Sequence, residues 1–181
     1  MLEVHDIDGP LFGQVVRKEL LVTLIETLAA VKPGSALAEA IEKRAEILRL
    51  SEAAHDAVLL PRDPGGLSYG LRAALAARMA RQNNDEALAG HYDKLVERAA
   101  DPSTASLAEP GSTIADQRVS EIVRHADRLT IAPREATRGD IETLRGAGIS
   151  DADIVRLSEL AAFLNYQVRV IAGLKLIGAR R

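Results

Sequence analysis

The chain contains no cysteine and no tryptophan. Without a thiol there can be no disulfide framework, no thiolate metal site and no cysteine nucleophile. Aromatic residues make up only 3% of the chain, while alanine and leucine dominate. That balance excludes a sandwich or barrel and predicts an all-α fold. Basic runs are also missing. The net charge is -3, and no cluster of Lys and Arg is dense enough to track a phosphate backbone, so nucleic acid is not an expected partner. No apolar run approaches the ~20 residues a membrane span needs. The first residues carry Glu3, Asp6 and Asp8 rather than a basic leader before an apolar core. The expectation is a cytoplasmic protein with no membrane partner. His5, His55 and His125 share no metal-ligand spacing with one another, so no metal site is expected. Gly65 and Gly66 are not followed by Lys-Ser/Thr, so they form a turn rather than a phosphate loop, and no cofactor is implied.

What is present suits a single helical domain over 1–181. With 181 residues, 47% of them hydrophobic, such a chain buries roughly 70% of its unfolded surface. Three parts follow from the break signals: N-terminal helices over 1–66, a central hairpin over 67–100, and C-terminal helices over 112–181. In the first part, Phe12, Val15, Val16, Leu20, Leu24, Leu28 and Val31 recur at helical spacing. Pro33 and Gly34 stop that helix, and Ser35 can cap the next one. The next helix starts near Ala36 with Leu37, Ala40, Ile41, Leu48 and Leu50 inward. Its continuity from Ser51 to Leu60 is left open. Pro61 to Gly66 denies both helix and ladder.

The central stretch from Leu67 to Ala99 organises the rest. Leu71, Ala74, Leu75, Arg78 and Met79 form one stripe, and Leu88, His91, Tyr92, Leu95, Val96 and Ala99 form a second. The polar elbow Arg81 to Asp85 joins them. There Asn83 or Asn84 can cap the second helix, while Asp85 and Glu86 place negative charge in its first turn. Asp101 to Gly111 is rich in Pro, Ser and Gly and reads as a surface loop. A helix follows at Ile114 to Leu129. Thr137-x-x-Asp140 and Ser150-x-x-Asp153 resemble capping boxes ahead of two more helices. The last of these is broadly apolar, from Ile154 through Leu174, and reads as a central core helix.

Four segments carry a family resemblance: PGSALA at Pro33 to Ala38, DPGGLS at Asp63 to Ser68, DEALAGHY at Asp85 to Tyr92, and GISDADIVRLSELAAFLNYQVRV at Gly148 to Val170. Together they resemble the carboxymuconolactone decarboxylase and alkylhydroperoxidase-D-like superfamily over nearly the whole chain. The resemblance implies an all-helical bundle with a central helical hairpin and a homo-oligomer. In the peroxidase-like branch it also implies reduction of peroxides through a Cys-x-x-Cys pair, with a Glu before it and a His after it. If His91 matches the family histidine, the cysteine positions fall on Asn84 and Ala87, or on Asp85 and Leu88. The glutamate position falls on Arg72 or Ala73. Only the histidine remains, so the chain is similar to a cysteine-less subgroup.

His91 is therefore the candidate acid or base, against the plainer reading of a hydrogen-bonded core histidine. Asp85 and Glu86 are further catalytic candidates, although helix-dipole complementarity explains both. Arg72 and Arg78 could pair a substrate carboxylate, and Tyr92, Asn165 and Tyr166 could line a pocket. Two functions lead, with a peroxidase-like activity by another route ranked last. One is a non-redox enzyme acting through His91 on a small carboxylate-bearing substrate. The other is a catalytically degenerate or accessory subunit, assembling with a cysteine-containing paralogue. The apolar breadth of the last helix adds an expected homodimer, through faces of the hairpin and the C-terminal helices.

Whichever holds, the purified protein should give no thiol titre. It should not consume a dithiol reductant in the presence of peroxide, and peroxide-dependent oxidation of a lipoyl or thioredoxin donor by the pure chain would contradict this.

Overall fold

The computed structural model describes residues 22–179, and every regular element among them is helical. Helix α1, Leu24–Leu28, opens on a capping box between Thr23 and Glu26. It ends where Ala30 turns left-handed (φ 52°) and the Val31 N–H reaches back to the Glu26 carbonyl, a closure that stops a helix. Val31 thus lies beyond the helix expected to include it. The expected start of that helix, Phe12 to Leu20, lies outside the described residues. Helix α2, Ala36–Glu42, is capped by Ser35 as expected. The chain then turns at Lys43 and Arg44 into α3, Ala45–Leu59, which runs unbroken through Ser51. Ala40 and Leu50, expected inward, are exposed, and Ile41 and Leu48 carry the contact with the core.

After the Pro61–Gly66 break comes the hairpin, α4 at Tyr69–Gln82 and α5 at Glu86–Ala99. Helix α5 buries the expected side. Helix α4 does not behave as a one-sided helix, because every residue from Gly70 to Ala80 is buried. Its alanines, gathered on one half of the helix, let neighbours close in there, while Leu71, Leu75 and Met79 pack on the other half, and a helix enclosed on all sides shows little amphipathic pattern. At Gly70 a side chain would meet the Thr104 hydroxyl at 2.6 Å, so glycine there permits the approach of the next segment. That segment corrects the expected Asp101–Gly111 loop. It holds a short helix, α6 at Pro102–Ala105, and a 3-10 turn at Ser106–Ala108, with Thr104, Leu107 and Ala108 buried.

Helix α7, Gln117–Ile131, is capped by Asp116 and starts after Ile114. Helix α8, Arg138–Gly146, has the expected Thr137–Asp140 capping box. Helix α9, Asp151–Ala179, is the longest described element. By length and composition it is apolar enough to cross a membrane, which corrects the reading that no stretch comes near that limit. In this fold one side of it packs inward through Leu157, Leu160, Leu164 and Ile171, while Val155, Leu176 and Ile177 remain exposed. The wholly enclosed helix is therefore α4, and α9 lies along the side of the bundle. At the start of α9, Ser150 accepts the Asp153 N–H, and the Asp153 carboxylate takes the Ser150 hydroxyl on one oxygen and the Gly66 N–H at 2.9 Å on the other, rather than the Ser150 N–H. Only half of the second capping box forms, and the other half ties α9 to the turn before α4.

Two arginines lie within the core. Arg72 donates to the carbonyls of Val58, Pro64 and Leu67 at 2.8 to 2.9 Å. Arg78 grips Asp127 of α7 with two nitrogens at 2.6 and 2.7 Å and reaches the Glu109 carbonyl. Val58 lies in the last turn of α3, where unpaired carbonyls and the helix dipole favour a cation. Replacing Arg72 with Met keeps much of the stem but strands three carbonyls. The expected loss is at least about 3 kcal/mol in a urea unfolding series; a midpoint unchanged from the parent would show that water satisfies those carbonyls equally well.

Candidate functional site

The elbow between α4 and α5 shows how His91 is placed. Asn83 ends α4, with its amide on the Met79 carbonyl, and Asn84 takes a left-handed turn at φ 59°. Neither asparagine caps α5. Asp85 does so, accepting the Leu88 N–H at 3.1 Å while Lys175 of α9 approaches its other oxygen at 3.2 Å. Asp85 is thus the cap rather than a first-turn residue, and its carboxylate is already engaged. Glu86 is exposed in the first turn.

One turn further along α5, His91 and Tyr92 enter a cluster that three helices build. Helix α3 contributes Ser51 and His55, α5 contributes His91 and Tyr92, and α9 contributes Phe163, Tyr166 and Gln167. The His55 ring lies 5.6 Å from His91, 6.0 Å from Tyr92 and 6.1 Å from Phe163, measured between centroids. Tyr92, fully buried, donates to the Gln167 side-chain carbonyl. Burial holds its hydroxyl well above the ordinary value, so it stays protonated. Ser51 and Tyr166 share a hydrogen bond at 2.8 Å. His55 places Nδ1 3.0 Å from Asp56. Its Nε2, like that of His91, is buried without a hydrogen-bond partner among the described residues. Burial, helped by His55, Lys94 and Arg98, lowers the His91 pKa from 6.5 to about 4. His91 is therefore neutral at neutral pH.

Of the residues singled out in the sequence, His91, Tyr92 and Tyr166 come together here. Asp85 and Glu86 sit one to two turns upstream on the same helix. Arg72 and Arg78 do not join them, and the backbone carbonyls and Asp127 described above occupy their guanidinium groups. Asn165 lies on another side of α9, donating to Leu129 and Ala161. His55 was missed as a member of the site. Its signal was the inward spacing Ser51, His55, Leu59 on α3, the same argument that singled out His91 on α5. No group of three or more metal-binding side chains occurs among the described residues. Chemically, the cluster offers two adjacent imidazoles, that of His91 neutral, each with a buried nitrogen that has no hydrogen-bond partner among the described residues. Two cavities are also present. One of about 870 Å³ lies between α7, α8 and α9, and one of about 470 Å³ lies beside Gly66 and Thr104; His91 lines neither.

Comparison with known proteins places the fold. No family model matches the chain, and no curated protein matches it. Solved structures do, two of them as follows. One is a peroxidase-related protein from Silicibacter sp. TM1040, with TM-score 0.62 and 22% identity, covering 71% of this chain and 68% of that one. The other is an alkylhydroperoxidase AhpD core, a peroxidase-related protein from Ralstonia eutropha JMP134, with TM-score 0.63 and 22% identity, covering 72% and 70%. The chain has the all-α fold of the alkylhydroperoxidase-D-like proteins, and it carries that fold without any cysteine.

The depressed pKa of His91 has a consequence for stability. Between pH 6.5 and about 4 the unfolded chain protonates this histidine while the folded chain does not. Its contribution is therefore fully present above pH 6.5 and is lost as pH falls toward 4. His125 is shifted in the same direction by burial. Melting temperature should fall on acidification across this window, and His91→Gln should flatten part of that slope. Parallel curves for parent and variant would show that His91 titrates normally.

Proposed function

We propose that the protein is a non-redox acid–base enzyme in the manner of the carboxymuconolactone decarboxylases, with His91 moving a proton on a small carboxylate-bearing substrate. The observation that carries this reading is the pair of unpartnered nitrogens, Nε2 of His55 and of His91, in one cluster. A buried polar atom left without a hydrogen bond costs about 1 to 3 kcal/mol, and such atoms in native structures call for an explanation such as catalysis. A neutral imidazole with a free nitrogen can take a proton from a substrate O–H or C–H. The carboxylate partners assigned from sequence, Arg72 and Arg78, are occupied. Lys94 and Arg98 replace them in this proposal: they lie one and two turns beyond His91, are exposed, form no ion pair among the described residues, and act on the charge of His91. Asp85 keeps a capping role.

A second reading has its own support. Neither described cavity opens on His91, as fits a catalytically degenerate or accessory subunit that works beside a cysteine-containing paralogue. Self-association belongs to both readings and is supported by the exposed Val155, Leu176 and Ile177 on α9.

A screen of small lactones and keto or hydroxy carboxylates separates the two. If His91 is the base, turnover has an acidic limb near pH 4, and His91→Gln abolishes it with the melting temperature held. Lys94→Gln should raise KM by about tenfold with kcat little changed, the size of one charge-assisted contact. No turnover in the parent, together with a destabilised His91→Gln, would leave the accessory reading standing instead.

A further inference from the structure

The larger cavity belongs to none of the chemistry above. It is a groove of about 870 Å³ between α7, α8 and α9, on the other side of α9 from Phe163 and Gln167. A volume of this size suits a small organic ligand. Its walls are apolar, formed by Leu129, Pro133, Ile141, Ala161 and Ala162.

Two features of the groove point to a ligand. The first is at its floor. His125 lines the groove, is 3% exposed, and has no partner for Nδ1 among the described residues. Asn165, also lining it, uses its amide nitrogen on the Leu129 and Ala161 carbonyls and leaves Oδ1 buried and unpartnered. Two orphan polar atoms at the base of an otherwise apolar groove are costly unless something bonds to them. The second feature is at the rim. Arg138, Arg145 and Arg169 line it against one acid, Glu142. Glu142 pairs with Arg138 and Arg145. Arg169 forms no ion pair among the described residues and donates only to the Asn165 carbonyl, at 2.7 Å. The rim is therefore left with a free cation one helical turn from the orphan amide oxygen.

We propose that this groove binds a small apolar carboxylate that carries a hydroxyl at its far end. The carboxylate pairs with Arg169, the apolar body lies along Ile141, Ala161 and Ala162, and the hydroxyl reaches the floor. A hydroxyl both donates and accepts. After a side-chain rotation at the floor it donates to Asn165 Oδ1 and serves His125 Nδ1 in either tautomer. Burial holds His125 below its ordinary pKa, so at neutral pH it adds no charge, and attraction for the anion comes from the rim. The site is independent of the His91 cluster.

The test titrates the full chain with p-hydroxyphenylpropanoate by calorimetry, and maps the contact by amide shifts in NMR. Two comparison probes are phenylpropanoate, which lacks the hydroxyl, and p-hydroxyphenylpropanamide, which lacks the charge. The expected result is saturable binding with shifts confined to α7, α8 and α9. Each comparison probe should bind about tenfold more weakly, the size of one lost polar contact. Arg169→Gln should weaken the acid about tenfold and leave the amide unchanged, and Ala162→Trp should fill the wall and abolish binding of both. Arg169 and Ala162 are exposed, so both variants keep the fold, which circular dichroism checks, and His91→Gln should bind as the parent does. Absence of saturation at millimolar probe, equal binding by Arg169→Gln, or shifts centred on His55 and His91 would each overturn the assignment.

Discussion

The fold is anchored by a cation in the core. Arg72 sits on the one helix that the others enclose, and its planar fork reaches three carbonyls that belong to the end of α3 and to the turn before α4. Burial lowers its pKa from the ordinary arginine value, and no carboxylate hydrogen-bonds to it. What compensates is geometry: the C-terminal carbonyls of α3 carry partial negative charge, and a guanidinium can meet several of them at fixed angles. The break at Pro61–Gly66 can therefore be abrupt without leaving orphaned carbonyls. The same turn is held from the far end of the chain, because the Gly66 N–H points to Asp153. The end of α3 and the start of α9 are thus both tied to the short turn that opens the central hairpin.

Much of this was legible in the sequence. The breaks at Pro33 and Pro61–Gly66, the hairpin with its elbow, and the Thr137–Asp140 box rest on local chemistry, where neighbours along the chain are neighbours in space. The enclosure of α4 was not legible. An alanine-rich helix reads the same whether two of its faces are covered or all of them. The arginines illustrate a related limit, because Arg72 and Arg78 read the same in the sequence whether their partner is a substrate carboxylate, a protein carboxylate or a backbone carbonyl. Only the long-range fold decides among these. The Asp101–Gly111 segment misled for a similar reason: its Pro, Ser and Gly residues are exposed as expected, but the fold tucks Thr104 against a glycine in α4 and buries it with Leu107 and Ala108.

The candidate site divides along the same line. Periodicity placed His91 on the inward side of α5 and gave Tyr92 beside it. It could not bring His55 to them, because the two histidines lie on helices that meet only in the folded chain. The groove between α7, α8 and α9 was equally hidden. Asn165 and Tyr166 were singled out together as residues that could line a pocket, yet Asn165 lines the groove while Tyr166 joins a different cluster, with Ser51. Two adjacent residues of one helix thus serve two separate surroundings, as a rotation of about 100° per residue requires.

The left-handed turn at Asn84 bears on what the elbow can hold. By resemblance to the peroxidase-like branch, the first redox cysteine would stand at Asn84 or Asp85 and the second at Ala87 or Leu88. In this chain Asn84 has a positive φ, which asparagine tolerates far better than most side chains. Asp85 is committed to the start of α5, and Leu88 is fully buried. A carboxylate now fills the place where a helix start would otherwise sharpen a thiolate. Restoring two sulfurs would strain the elbow in one register, and in the other it would remove the cap and seal the second thiol inside. The elbow is thus built around its cap and its buried leucine, and a pair of thiols fits it in neither register.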